Sequence, residues 1–296
     1  PVAGTETLRV TLVVHDPAMY QRAALGGTVG IGEAWMDGWW DCSVLTTLVR
    51  IFVRNRQLLD RLEGGLARLG AALLRVLRGL RPNSRGASRR NIAAHYDLGN
   101  ELFRVFLDRN LMYSSAIFRD EAEPLEVASE RKLERICAKL GLRPGMRVVE
   151  IGTGWGGFAL HAASRHGVHV TTTTISREQH ELATARVREA GLEQHVTLLM
   201  RDYRDLEGRY DRLVSIEMIE AIGPQYLETY FAKASSLLEP DGMGLVQAIT
   251  IEDHRYAQAL RNVDFIQRHI FPGSFIPSVS AMLGALPRRT DLKPFH

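Results

Sequence analysis

The residues with the clearest chemical meaning lie in the run VVEIGTGWGGFAL, positions 148–160. Gly152, Gly154 and Gly156 punctuate a turn between an apolar strand pattern and a helical one. Glycines there admit positive φ and a close backbone approach, and the helix start offers unpaired N–H donors to a ligand. Gly152, Gly154 and Gly157 also satisfy G-x-G-x-x-G, the spacing of a dinucleotide site. Such a site calls for an acid near the end of the second strand, and VTTTTIS, residues 170–176, holds none. Glu150 stands just before the turn, where a carboxylate can accept from the amino group of an amino-acid ligand. The pattern therefore favours a ligand with an amino-acid end over NAD.

Alternating strands and helices must position this turn. Strand patterns cover Met146–Ile151, Val168–Thr174, Val196–Arg201, Tyr210–Ile216 and Met243–Ile249. Helical patterns over Gly156–Arg165, Arg177–Ala190 and Gln225–Leu238 separate them. That order predicts a doubly wound parallel sheet, an α/β Rossmann-like domain. Ahead of it, LRVTLVV and a Trp35, Met36, Trp39, Trp40 cluster predict a smaller α+β domain with those side chains in its core.

The 296 residues carry a formal charge of only +3, but Arg50 to Arg90 holds eleven arginines against Asp60 and Glu63. Leu62, Leu66, Leu69, Leu73, Leu77 and Leu80 recur at helical spacing, which fits either packing on the chain's own domain or a basic amphipathic helix on an anionic bilayer. Residues 57–90 contain no aromatic and no nucleic-acid motif, so membrane is favoured over nucleic acid. From Pro82 the composition turns to Pro, Asn, Ser, Gly and Arg. We read residues 1–80 as a lipid-associating domain, 81–92 as a basic linker and 93–296 as the catalytic domain. No run of 18 apolar residues is present, arguing against a membrane span. Cys42 and Cys137 match no metal spacing and fit reduced thiols in a cytosol. His161, His166 and His169 have no ligand spacing either, so no metal is expected. Ser176 and Ser215 lack a G-x-S-x-G context, which leaves hydrolase chemistry unsupported.

Taken together, GEAWMDGWW (32–40), HYDLGNELFRVFLD (95–108), YSSAIF (113–118), EIGTGWGG (150–157), TISREQ (174–179), DYRDL (202–206), DRLVSIEMIEAIG (211–223) and IFPGSFIPS (270–278) closely resemble the cyclopropane-fatty-acyl-phospholipid synthase family, which includes the mycolic acid cyclopropane synthases. The resemblance implies a class I methyltransferase domain using S-adenosylmethionine on double bonds of phospholipid acyl chains. The basic segment would make it peripheral at the inner face of the membrane, and an unpaired sheet edge would invite association into a homodimer. The resemblance also implies that Glu150, Gly152, Thr153, Gly154, Trp155 and Gly156 wrap the methionine part of the cofactor, with Tyr113 and Ser114 at its amino-acid end. By the same match, Thr174, Ser176 and Gln179 meet the ribose, and Tyr203 and Arg204 stand beside the adenine. The match also implies that His95 belongs to an ordered loop near the cofactor.

The family holds a bicarbonate as base, and here the match departs. Ser115 stands where a cysteine is expected and Gln247 where a histidine is, while Ile249 is retained. The expected Glu-His pair reads Glu220–Ala221. Ser115 and Gln247 can still donate hydrogen bonds to bicarbonate, and Glu220 can orient that anion or act as base itself. The resemblance also implies further sheet strands and a tyrosine beyond His296. Three outcomes stay open: ring closure to a cyclopropane, C-methylation without it, and a catalytically silent module that binds cofactor and lipid.

Overall fold

The computed structural model describes residues 7–55 and 99–295. The leucine-arginine segment, the linker and His95 therefore lie outside the described residues. The chain divides into two compact units, Pro1–Arg81 with Arg261–Ile270, and Pro82–Leu260 with Phe271–His296. Residues Arg261–Ile270, read from sequence as part of the catalytic domain, cluster with the first unit.

In the first unit, β1 (Leu12–Val14) pairs antiparallel with β2 (Trp40–Cys42), flanked by α1 (Ala18–Met36) and α2 (Leu45–Arg54). Trp40, Ala34 and Leu48 form its small core, and the Trp40 indole N–H donates to the Ile31 carbonyl at 3.0 Å. The expected aromatic cluster is split: Trp40 is buried, whereas Trp35 and Met36 are exposed. The reason is helical phase. Ala34, one position from Trp35, is fully buried, so its neighbours turn away from that core. The returning segment anchors through Glu33, which takes Arg268 at 2.7 Å and His269 at 3.0 Å.

In the second unit, α3 (Asn100–Phe106) and α4 (Leu125–Leu140) precede the sheet. Five parallel strands follow: β3 (Arg147–Ile151), β4 (His169–Thr173), β5 (Val196–Leu199), β6 (Tyr210–Ile216) and β7 (Leu238–Gln247). The spatial order is β5-β4-β3-β6-β7. Helices α5 (Gly157–His166), α6 (Arg177–Glu189) and α7 (Leu227–Leu237) supply crossovers, and α8 (Asp253–Ala259) and α9 (Val279–Arg289) complete the unit. Apolar residues enclose both faces. Val148, Phe158, Val170 and Val214 belong to one core; Val149, Leu213, Tyr230 and Phe231 belong to the other. Because strand side chains alternate, neighbours Val148 and Val149 serve opposite layers. The winding reverses between β3 and β6. Ligands in open α/β sheets bind beyond the carboxyl ends of strands at such a reversal.

Candidate active site

The glycine turn emerges from β3 at this reversal. Gly152, Gly154 and Gly156 take φ of 101°, 53° and 84°. Two of these positions decide what the turn is for. At Gly152 a Cβ would stand 3.0 Å from Met218 Cγ, so the turn needs glycine to let the segment after β6 approach. At Gly154 a Cβ would meet nothing within 4 Å, leaving an open face over the turn.

Beneath the turn lies a chain of hydroxyls. Thr172 Oγ1 donates to Glu150 Oε2 at 2.6 Å, and Thr153 Oγ1 lies 2.7 Å from Thr172 Oγ1. Since Thr172 spends its proton on Glu150, Thr153 is the donor to Thr172. Glu150 is 2 % exposed, and burial pushes its carboxyl up to about 8 despite the Thr172 bond. Glu150 thus reaches the turn through two threonines. A cation bound above them favours its ionised form.

Trp155 is buried, with its indole N–H donating to Asn100 Oδ1 at 2.7 Å. Its ring packs 4.7 Å from Phe103, and Tyr113 meets Phe103 edge-on at 5.4 Å. This aromatic wall fixes residues 113–115 beside the turn. Burial raises the Tyr113 hydroxyl. Ser114 Oγ accepts from Lys132, a nearly enclosed ammonium that burial pushes down to about 8.

The TISREQ residues converge on one another. Thr174 Oγ1 donates to Gln179 Oε1 at 2.8 Å and accepts from the Ser176 N–H at 3.1 Å. Ser176 Oγ caps α6 by accepting from the Gln179 N–H. All three are buried, so the network fixes the loop after β4. After β5, Asp202 holds Arg204 through bonds of 2.8 and 2.7 Å. The guanidinium lies over Tyr203 at 5.5 Å and Tyr226 at 5.4 Å. Tyr203 itself is enclosed, edge-on to Tyr230 at 5.7 Å, and its hydroxyl has no hydrogen-bond partner among the described residues. Burial pushes that hydroxyl up to about 12.

The second half of the site gathers after β6 and β7. Glu220 Oε1 accepts from the Ile249 N–H at 2.6 Å, while its buried Oε2 has no partner among the described residues. Burial, reinforced by the nearby Glu217 charge, pushes Glu220 up to about 7. A group poised near neutrality with one oxygen unused has the properties of a general base. Ile249, which supplies the backbone donor, is itself exposed.

Ser115 and Gln247 do come together, but around a residue the sequence analysis did not single out. Glu217 Oε1 accepts from the Ser115 N–H at 2.9 Å, Ser115 Oγ at 3.1 Å and Gln247 Nε2 at 2.7 Å. Glu217 has φ of 47°; with Leu111 it is one of two non-glycine residues in that region among the described residues. The left-handed conformation costs a non-glycine residue about 1–2 kcal/mol. The signal available in sequence was a third carboxylate, three residues before Glu220 and directly after a strand. The side-chain donors left open for bicarbonate are thus already engaged by the chain's own carboxylate. The fit to a separate anion fails, whereas the open turn and buried Glu150 fit a cationic amino-acid ligand.

Folding also creates a cluster that linear spacing conceals. Cys137, His161 and His166 bring their ligand atoms within 4.8 Å of one another. Glu134 Oε2 meets His161 Nε2 at 3.1 Å and His166 Nε2 at 3.2 Å, which ties α4 to α5. Burial pushes the Cys137 thiol up to about 12 and so disfavours a thiolate ligand there.

Residues 83–292 match the model of the mycolic acid cyclopropane synthetase family. The chain belongs to that family. A tuberculostearic acid methyltransferase of Mycobacterium tuberculosis is 38% identical over 96% of this chain and 67% of its own length. A cyclopropane-fatty-acyl-phospholipid synthase of Escherichia coli is 40% identical over 90% of this chain and 66% of its own length. The chain thus spans about two thirds of these relatives. The structure of a mycolic acid cyclopropane synthase complexed with SAH and CTAB superposes with TM-score 0.63 and 30% identity, over 68% of this chain and 74% of that one. The second unit of this family member has the class I S-adenosylmethionine-dependent methyltransferase fold.

Proposed function

We propose that this enzyme transfers a methyl group from S-adenosylmethionine to the double bond of an unsaturated phospholipid acyl chain and closes the product to a cyclopropane. The observation that carries this reading is a juxtaposition. An open glycine turn at the sheet's reversal faces a segment in which Glu220 keeps one buried oxygen unused near neutral pKa. The Escherichia coli relative, a cyclopropane-fatty-acyl-phospholipid synthase, and the mycolic acid cyclopropane synthase whose structure superposes on this chain support it.

When bound, S-adenosylmethionine supplies an electrophilic methyl whose C–S electron pair leaves with sulfur as a neutral thioether. Gly152, Thr153, Gly154, Trp155 and Gly156 would hold its methionine part, Tyr113 and Ser114 its amino-acid end, Thr174, Ser176 and Gln179 its ribose, and Tyr203 and Arg204 its adenine. Buried Glu150 supplies a countercharge from beneath the turn. The cation then left on the acyl chain must lose a proton from the transferred methyl. That C–H pair closes the ring, and Glu220 Oε2 receives the proton. An alkene is a weak nucleophile, so alignment must provide much of the rate; effective positioning provides about 7–11 kcal/mol in favourable systems.

A second reading is C-methylation without ring closure. It is favoured by the 38%-identical relative named a tuberculostearic acid methyltransferase and by the absence of cysteine and histidine at positions 115 and 247. Incubation of the full chain with labelled cofactor and unsaturated phospholipid vesicles, followed by proton NMR of the acyl products, separates the outcomes. Cyclopropane protons support the first reading and a branched chain supports the second. Cofactor and vesicle binding without methyl incorporation would refute both and leave a silent binding module.

The arginine-rich segment supports action at an anionic membrane surface, on the inner face of the cell membrane. Among the described residues no helix is long and apolar enough to cross a membrane. Cosedimentation with anionic but not zwitterionic vesicles, weakened by salt, tests the surface reading. Sedimentation equilibrium tests the homodimer.

A further inference from the structure

We infer that Glu217 is a built-in anion of the methyl-transfer site: the chain's own carboxylate, clamped by Ser115 and Gln247, stabilises positive charge where a separately bound anion would otherwise be required. This inference rests on the methyltransferase reading above.

Three observations carry it. The first is convergence. Three donors, Ser115 N–H, Ser115 Oγ and Gln247 Nε2, meet on one oxygen, Glu217 Oε1. Donors arranged this way stabilise a charged acceptor and fix its direction. The second is backbone conformation. Glu217 keeps φ of 47°, which glycine would adopt without strain, so the fold tolerates a carboxylate where local sterics favour having no side chain. The Glu217 N–H is held to the Gln247 carbonyl at 2.8 Å, so the segment after β6 stays tied to β7. The third is location. Met218, the next residue, packs against Gly152 of the cofactor turn, and Glu220 lies one 3-10 turn further along. Glu217 therefore shares one short segment with Met218, which meets the open turn, and with Glu220, the candidate base.

The two carboxylates have opposite surroundings, which divides the labour between them. Three donors meet Glu217 Oε1, which suits that carboxylate to the part of a fixed countercharge. Glu220 has one oxygen unpartnered among the described residues and is suited to take a proton. In the proton step, a C–H bond of the transferred methyl breaks and its electron pair forms the new carbon–carbon bond. The proton passes to Glu220 Oε2, and Glu217 takes no part in that transfer. No further reagent is needed. Lys132, whose ammonium meets Ser114, and Asp108 are the other charged groups coupled to this corner.

The test uses the full chain with Glu217→Gln and Glu217→Gly. The glycine variant relieves the backbone strain, so it guards against loss through misfolding. Calorimetry with S-adenosylmethionine and with S-adenosylhomocysteine measures preference for the sulfonium without turnover. Wild type should favour the sulfonium ligand, and both variants should lose about tenfold of that preference. Methyl transfer from labelled cofactor should fall by at least about a hundredfold, with the glycine variant melting no lower than wild type. The acid limb of the pH–rate profile should also move to lower pH, because the Glu217 charge raises Glu220. Variants with unchanged ligand preference and unchanged transfer would overturn the inference while leaving the methyltransferase reading intact. Stimulation of wild type by added bicarbonate would also overturn it. A wild type that binds neither ligand and transfers no methyl would remove both.

Discussion

Gln247 Nε2 lies 3.1 Å from Ser115 Oγ although 132 residues separate them in the chain. Their pairing joins the loop after α3 to the end of β7, and both side chains address Glu217. Gln247 makes the shorter bond to that carboxylate, at 2.7 Å against 3.1 Å for Ser115 Oγ, and Ser115 also contributes its backbone N–H. Hydrogen bonds to charged groups contribute about 1.5–3 kcal/mol. Gln247→Ala should therefore reduce kcat about tenfold or more. Ser115→Ala, which keeps the backbone donor, should cost less. Radiolabelled methyl incorporation measures both, and the reverse order would refute the ranking.

Glu220 gives the expected pH dependence. Its carboxyl is pushed up to about 7, chiefly by burial, and a base must be ionised to work. The rate should therefore rise with pH through about 7 and level off above it. Glu220→Gln should lower turnover by about 10²–10⁴-fold and abolish that rise, while calorimetry finds cofactor binding nearly unchanged. Full activity in this variant would exclude Glu220 as the proton acceptor.

Much of this arrangement was legible in sequence because periodicity and turn chemistry act locally. Tyr210–Ile216 runs as anticipated, and the other four sheet strands overlap their predicted ranges. Strand β7 begins at Leu238 rather than Met243; Glu239, Pro240, Asp241 and Gly242 hide its start, and the register shifts there. The glycine turn was equally readable. Glu217 was not, because its meaning depends on Ser115 and Gln247 arriving from distant segments. Cys137, His161 and His166 were invisible for the same reason. Trp35 and Met36 misled because an aromatic cluster in sequence does not specify which side of a helix meets the core.

Glu150 links the site to stability. Its folded-state carboxyl is pushed up to about 8, above the ordinary value of 4.5. Between these values the native state holds a proton that the unfolded chain has released. The associated stability is therefore present in full below about pH 4.5 and is lost as pH rises through about 8. Wild-type Tm should decline over that window. Glu150→Gln, which retains an acceptor for Thr172, should flatten most of the decline and melt higher than wild type at pH 8. A smaller slope should remain from Glu220, which shifts in the same direction. Scanning calorimetry across pH checks this, and an unchanged slope would mean that Glu150 is not the group responsible.

Alanine at the two decisive glycines should separate folding from binding. At Gly152 the backbone has φ of 101°, and the new Cβ would meet Met218 Cγ at 3.0 Å and Cβ at 3.1 Å. Gly152→Ala should lower Tm substantially and displace the segment that carries Glu217 and Glu220. At Gly154, φ of 53° lies in the left-handed region, where alanine costs about 1–2 kcal/mol, and the Cβ enters open space. Gly154→Ala should therefore melt only a few degrees lower. Its methyl group would occupy the face offered to ligand, so affinity for S-adenosylmethionine should still fall about tenfold or more. Thermal melts and calorimetry on both variants measure the two effects separately. If Gly154→Ala binds the cofactor as tightly as wild type, the open face of the turn is not where the cofactor lies.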